Sequence, residues 1–202
     1  AFVHLHCVKA FYESRSDLSN LDCPTCKHPY EGAAAIELGL IGLERTEQAH
    51  GTDHPAVAVI LTNLSNAYGR LGDAARQRDL LERALAIEER EFGPNHREVA
   101  ATLTNLGNAY GDLGDAARQR DLLERALVIK EREFGPDHRE VAVTLANLGI
   151  AYGDLGDAAR KRDLLERALV IEEREFGAHH RNGAATVTDL GKAYGCLGDA
   201  AR

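Results

Sequence analysis

Two short pairs near the start of the chain carry side chains that can do chemistry. They are His4-x2-Cys7 and Cys23-x2-Cys26, inside HLHCVKAFYESRSDLSNLDCPTCK, with fifteen residues between the pairs. Zinc takes four thiolate or imidazole ligands in a tetrahedron, and pairs at this spacing form knuckles that supply two ligands at a time. The expected cofactor is therefore Zn(2+), held by His4, Cys7, Cys23 and Cys26. All four could share one ion, with His6 or His28 able to replace His4. Alternatively, each pair is half of a site completed from elsewhere. No Ser/His/Asp arrangement, phosphate-cradling loop or carboxylate pair with catalytic logic stands in the chain.

Composition narrows the partners. Lys+Arg number 24 against 32 Asp+Glu, a formal charge of −8 over 202 residues, which argues against tracking a nucleic-acid backbone. No stretch approaches eighteen uncharged apolar residues, so no membrane span is expected. Four cysteines, three of them in one cluster, do not make a disulfide framework and point to a reducing, cytoplasmic setting. There is no methionine, even at position 1, and the chain stops at LGDAAR in the middle of a recurring pattern. A piece of a longer protein is expected.

That recurring pattern positions everything else. His54, His96, His138 and His180 are each 42 residues apart, and each opens a near-copy of one segment. Residues 96–137 and 138–179 match at 35 of 42 positions. Each copy reads as two helices. The first begins at a capping-box-like NHRE (Asn95 to Glu98) or DHRE (Asp137 to Glu140), where Asn or Asp would cap. It stops at the glycine of LGD. The second begins after Asp115 and carries an apolar stripe through Leu122, Leu123, Ala126, Leu127 and Ile129. FGP, Phe134 to Pro136, ends it with a glycine suited to a left-handed cap. A helix pair with one apolar face cannot bury that face alone, but stacked pairs can. The expected fold is all-α, a right-handed α-solenoid of helix-turn-helix repeats.

NLGNAY, the glycine of LGD, and LLERAL make residues 54–202 resemble the tetratricopeptide repeat family. The 42-residue period and the FGPDH connector resemble its kinesin light chain and nephrocystin-3 branch. One departure is Gln77, Gln119 and Lys161, where the family usually has a small alanine between paired helices, and a looser or tilted pair is expected there.

The copies also differ from one another in a pattern. GDAARQRDLLERAL is identical at 72–85 and 114–127. The first helices vary at Ala101/Val143, Thr104/Ala146 and Asn108/Ile150, three and four residues apart and so on one face. The resemblance implies that this face looks into a concave groove that meets extended peptides. The candidate partner-binding residues are Thr62, Asn63, Asn66 and Arg70 in the first copy and Thr104, Asn105, Asn108 and Asp112 in the second. The third copy supplies Asn147, Ile150 and Asp154, and the fourth Lys192. Amide ladders can pair with any peptide backbone, while Asp112 and Asp154 lean towards a neutral or basic one. The four repeated histidines would stack about 10 Å apart, too far to share a metal, and read as structural loop residues.

Residues 1–32 resemble the second half of a RING-CH (RING-variant, C4HC3) zinc finger of ubiquitin ligases, on FVHLHCVKAF and LDCPTCKHPYEG. The resemblance implies a cross-brace, in which His4 and Cys7 complete one zinc and Cys23 and Cys26 another, each with an earlier cysteine pair. It also implies that Phe11 and Pro24 contact a ubiquitin-conjugating enzyme. The expected layout is a partial, truncated finger at 1–32 and a lone connecting and capping helix at 33–53. Repeats follow at 54–95, 96–137, 138–179 and, truncated, 180–202. Gly39 and Gly42 argue against a regular capping helix. The function expected is a scaffold binding a protein or peptide in the groove, fused to a finger that serves a ubiquitin ligase in the full-length protein. The alternative is an adaptor whose zinc knuckle is only structural.

Overall fold

The computed structural model describes residues 32–176 and 181–200. Among them are eight helices and no strand: α1 (Gly32–His50), α2 (Pro55–Arg70), α3 (Ala74–Phe92), α4 (Arg97–Asp112), α5 (Ala116–Phe134), α6 (Arg139–Asp154), α7 (Ala158–Phe176) and α8 (Arg181–Ala200). No helix among the described residues is long and apolar enough to cross a membrane. The chain forms two compact units, one ending at Pro94 and the other beginning at Asn95.

The helix boundaries follow from local chemistry. The first helix of each full copy is capped by its histidine. The Nδ1 atoms of His54, His96 and His138 accept from the backbone N–H groups of Ala56, Glu98 and Glu140, at 3.2, 3.3 and 3.2 Å. This corrects the expected cap by one residue. Asn95 and Asp137 are not the caps; their groups instead receive the arginine that ends the next helix. Arg132 donates to the Asn95 carbonyl, and Arg174 meets the Asp137 carboxylate at 2.7 Å. The imidazole wins because its nitrogen sits two residues before a free N–H with the backbone already extended.

The turn inside each copy is a Schellman motif. Asp115 N–H bonds the Tyr110 carbonyl and Gly114 N–H bonds that of Gly111, with Gly114 at φ 81° where other residues are disfavoured. Asp115 then caps α5, accepting from Arg118 N–H at 3.0 Å. Two caps within two residues make the short αα corner. The glycine that ends α5 is different: Gly135 has φ 89° and ψ 157°. It is therefore not the left-handed cap expected but the extended mirror region that only glycine enters readily.

In the first unit α1 packs on α2, and α2 on α3. Val57, Ala58 and Leu61 close on Ala84 and Ile87, with Leu43 and Leu80 at the edge. In the second unit α4 to α8 stack in chain order. Val141, Ala142 and Leu145 pack on Ala168 and Ile171. There α4 touches α6 and α6 touches α8 directly, whereas α5 and α7 are joined through long side chains such as Arg167 to Glu131 at 2.6 Å. The first helices therefore form the tighter, inner side of this unit.

Helix α1 packs on the first repeat, as expected of a capping helix, and also keeps the phase of the repeats. Its bounds lie 42 residues before those of α3, and Gly51 (φ 87°) and His54 repeat the phase of Gly93 (φ 84°) and His96. His50 stacks on His54 at 4.7 Å, as Phe134 stacks on His138 at 4.9 Å. Glu47 meets Arg83 at 2.5 Å just as Glu131 meets Arg167. Helix α1 thus takes the place towards α2 that the second helix of a repeat takes towards the copy after it. Gly39 does not interrupt it. A Cβ there would lie 2.9 Å from Leu64 Cδ1, so this glycine lets the helices approach.

Candidate binding recess

The variable stripe lands on the inner side of the second unit. Spacings of three and four carry Asn105, Asn108 and Asp112 along one face of α4, and Asn147, Ile150 and Asp154 along the matching face of α6. Between them lies a recess of about 380 Å3, lined by Asn108, Gly111, Asp112, Gln119, Asn147, Ile150 and Asp154. Asn147 Nδ2 donates to Asn108 Oδ1 at 2.9 Å across the two helices. Asp112 and Asp154 are exposed, while Ile150 is 37% exposed and offers an apolar wall.

Gln119, from the second helix α5, reaches the recess from behind. It is 6% exposed, and its Oε1 is buried without a hydrogen-bond partner. It fits because Gly111 has no side chain: a Cβ there would lie 2.7 Å from the Gln119 amide. The same exchange recurs at Gly69 with Gln77 (2.8 Å) and Gly153 with Lys161 (2.6 Å). Each long residue on a second helix is matched by a glycine on the first, which gives it room where looser pairing was expected. Gln119 was legible as a departure from the small-residue pattern, but not as part of the site. The signal for that is the glycine eight residues before it.

The other expected groove residues divide. Thr104 is buried and its hydroxyl donates to the Ala100 carbonyl at 2.8 Å. Asn105 is half-buried. Lys192, on α8, is exposed and pairs with Asp189 at 2.7 Å. In the first unit Asn66 and Arg70 are exposed, while Thr62 and Asn63 are half-buried, Thr62 with its Oγ1 shielded and unpaired. His4, Cys7, Phe11, Cys23, Pro24 and Cys26 lie outside the described residues. Among the described residues no three His, Cys, Asp or Glu side chains gather as a metal site, and His54, His96 and His138 are occupied as caps.

The opposite side of the second unit has an apolar hollow of about 480 Å3 between α5, α6 and α7, with Leu127, Leu148 and Leu164 in its wall. Over it Tyr152 donates its hydroxyl to Glu124 and accepts from Arg160 at 2.6 Å. The Glu124 bond, then burial, raises the phenol above its usual range. Tyr194 repeats the contact on Glu166. These are latches between successive repeats.

Comparison with known proteins supplies the family. Tetratricopeptide repeat models match residues 78–118, 99–140 and 141–182, together more than half of the 202 residues. The chain belongs to the tetratricopeptide repeat family. No sequence of a curated protein matches. Among solved structures, the tetratricopeptide protein is similar to a single-substitution variant of nearly identical repeats named for kinesin light chain, from Podosopora anserina. That match has a TM-score of 0.71 at 21% identity, covering 96% of this chain and 85% of that one. BtubC (BKLC) of P. vanneervenii gives 0.72 at 25% identity, over 81% of this chain and 65% of that one. The apo form of RapI gives 0.69 at 18%, over 96% and 63%. At these identities the first and last speak for the fold alone.

Proposed function

We propose that this tetratricopeptide repeat protein is an interaction scaffold that grips an extended protein segment along the inner faces of the first helices of its second unit. The observation that supports it most is the recess between α4 and α6. It gathers five of the sequence-expected groove residues, Asn108, Asp112, Asn147, Ile150 and Asp154. One amide pair is already aligned across the two helices. Asn108 and Asn147 keep further donors and acceptors for a peptide backbone, so the grip is tolerant of sequence. Such a device has no need of a nucleophile, since its work is to hold a partner in place. The test is a peptide binder of the chain measured against Asn105→Ala, Asn108→Ala and Asn147→Ala variants. Loss of at least tenfold in affinity is expected; unchanged binding in all three refutes the groove.

The N-terminal pairs belong to the same proposal on their spacing and on the resemblance of residues 1–32 to a RING-CH finger. His4, Cys7, Cys23 and Cys26 are zinc ligands, and the finger is the second half of a RING-CH module. In the full-length protein it recruits a ubiquitin-conjugating enzyme through Phe11 and Pro24 while the repeats choose the target. The cysteine usage supports a cytoplasmic setting. Metal analysis of the purified chain should find zinc that is lost in Cys7→Ser and Cys26→Ser. Equal metal content in all three removes the finger and leaves the repeat scaffold standing.

A further inference from the structure

We propose that the recess formed by α4, α5 and α6 is a socket for an arginine side chain of the bound segment. The inference rests on the groove reading and names what that groove selects.

The recess is short of donors where it most needs them. Gln119 Oε1 is sealed from water with no donor in reach, on a residue 6% exposed. A buried acceptor left unpaired is costly, and a donor carried by a partner would relieve that cost. At the mouth stand Asp112 and Asp154, neither of them in an ion pair. Other aspartates of these repeats are engaged: Asp115 with Arg118, Asp121 with Arg120, Asp157 with Arg160 and Asp163 with Arg162. With Asp137 held by Arg174, the two aspartates of the second and third copies left over are the two that line the recess. One donor of Asn147 is already spent on Asn108. A cation entering here meets the Asp112 and Asp154 carboxylates at the rim and the Gln119 side chain at the floor. A planar guanidinium, with donors on separate edges, can serve both at once; a compact ammonium serves them less well. Exposed Ile150 gives the aliphatic stem an apolar wall to lie on.

The other copies show that the position accepts a cation. At the site of Gln119 the third copy carries Lys161, whose Nζ would lie 3.1 Å from a Cβ at Gly153. At the site of Asp112 the first copy carries Arg70. Only the second copy combines the neutral amide floor with an acid at each side. Lys161 is thus a resident stand-in for the ligand, and Gln119→Lys should fill the socket without disturbing a fold that already tolerates lysine there.

The test is selection of a phage-displayed random dodecapeptide library on the whole chain, followed by affinity measurement on the selected peptides. The expected result is enrichment of arginine and a loss of at least tenfold when it is replaced by citrulline. A similar loss is expected in Gln119→Lys and Asp112→Asn, with thermal melts unchanged. If arginine-free peptides emerge, insensitive to Gln119→Lys but weakened by Asn108→Ala, the socket is refuted and the groove survives. If selected peptides bind regardless of every substitution on α4 and α6, both fall. If arginine is enriched but citrulline binds equally, the charge requirement is refuted.

Discussion

Replacing His96 by alanine removes the acceptor that holds the second N–H of α4, that of Glu98. The expected cost is about 1 kcal/mol, within the range for a lost N-cap, read from denaturant midpoints. His96→Asn should recover most of it, since asparagine caps by the same geometry. The regular placement of these histidines was visible in the sequence; their role was assigned to the residue before them. The reason is physical: histidine is not a usual cap, and only the backbone geometry reveals that its Nδ1 is aimed at the second helical N–H. The same limit applies to Gln119. Its departure from a small-residue pattern was legible, but whether a long side chain pries helices apart or finds a void depends on what faces it. Gly111 decided that.

Lys130 shows how one substitution between copies acts at the level of the helix pair. It is 5% exposed on α5 and donates to Thr144 Oγ1 at 3.1 Å on α6, with Glu140 at 3.6 Å. Burial lowers its pKa from the ordinary 10.5, and Glu140 opposes that fall. Because the folded form holds the proton less tightly than the unfolded one, the group's penalty is full at neutral pH. It shrinks as pH rises from the lowered value towards 10.5. Lys130→Met should therefore be neutral or stabilising at pH 7, as for other replaced buried charges. Its advantage over the parent should narrow in alkaline melts. Glu140→Ala, which leaves the cation without its counter-ion, should destabilise.

Helix α1 invites a packing test at the same scale. If it is a structural repeat helix, Leu38→Ala, at a fully buried site, should cost about 2–5 kcal/mol. Leu40→Ala, on the exposed side, should stay within about 0.5 kcal/mol. Equal, small effects would show that α1 is not packed as a repeat helix. Its place in the pattern escaped the 42-residue comparison because few identities are shared, Leu38, Glu47, Gly51 and His54 among them. What persists is the phase of the turn glycine, the brace acid and the capping histidine.

Across the whole molecule, the repeated copies made the helical fold readable, because each near-identical segment votes for the same periodicity and the same caps. The binding face was partly readable for the opposite reason: it is where the copies disagree. Asn108, Asp112, Asn147, Ile150 and Asp154 came together as the helical spacing required. Thr104 did not join them, since a hydroxyl can turn back onto its own helix, and the sequence carries no sign of that choice. The most direct measurement is site-specific photo-crosslinking of a selected peptide to the chain. A photoreactive residue at position 108 or 150 tests the inner face. One at position 128, where Val128 is 68% exposed on the second helix, tests the outer. Cross-links from 108 and 150 with none from 128 are predicted. Cross-links from 128 alone would contradict the groove and place the partner on the outer helices.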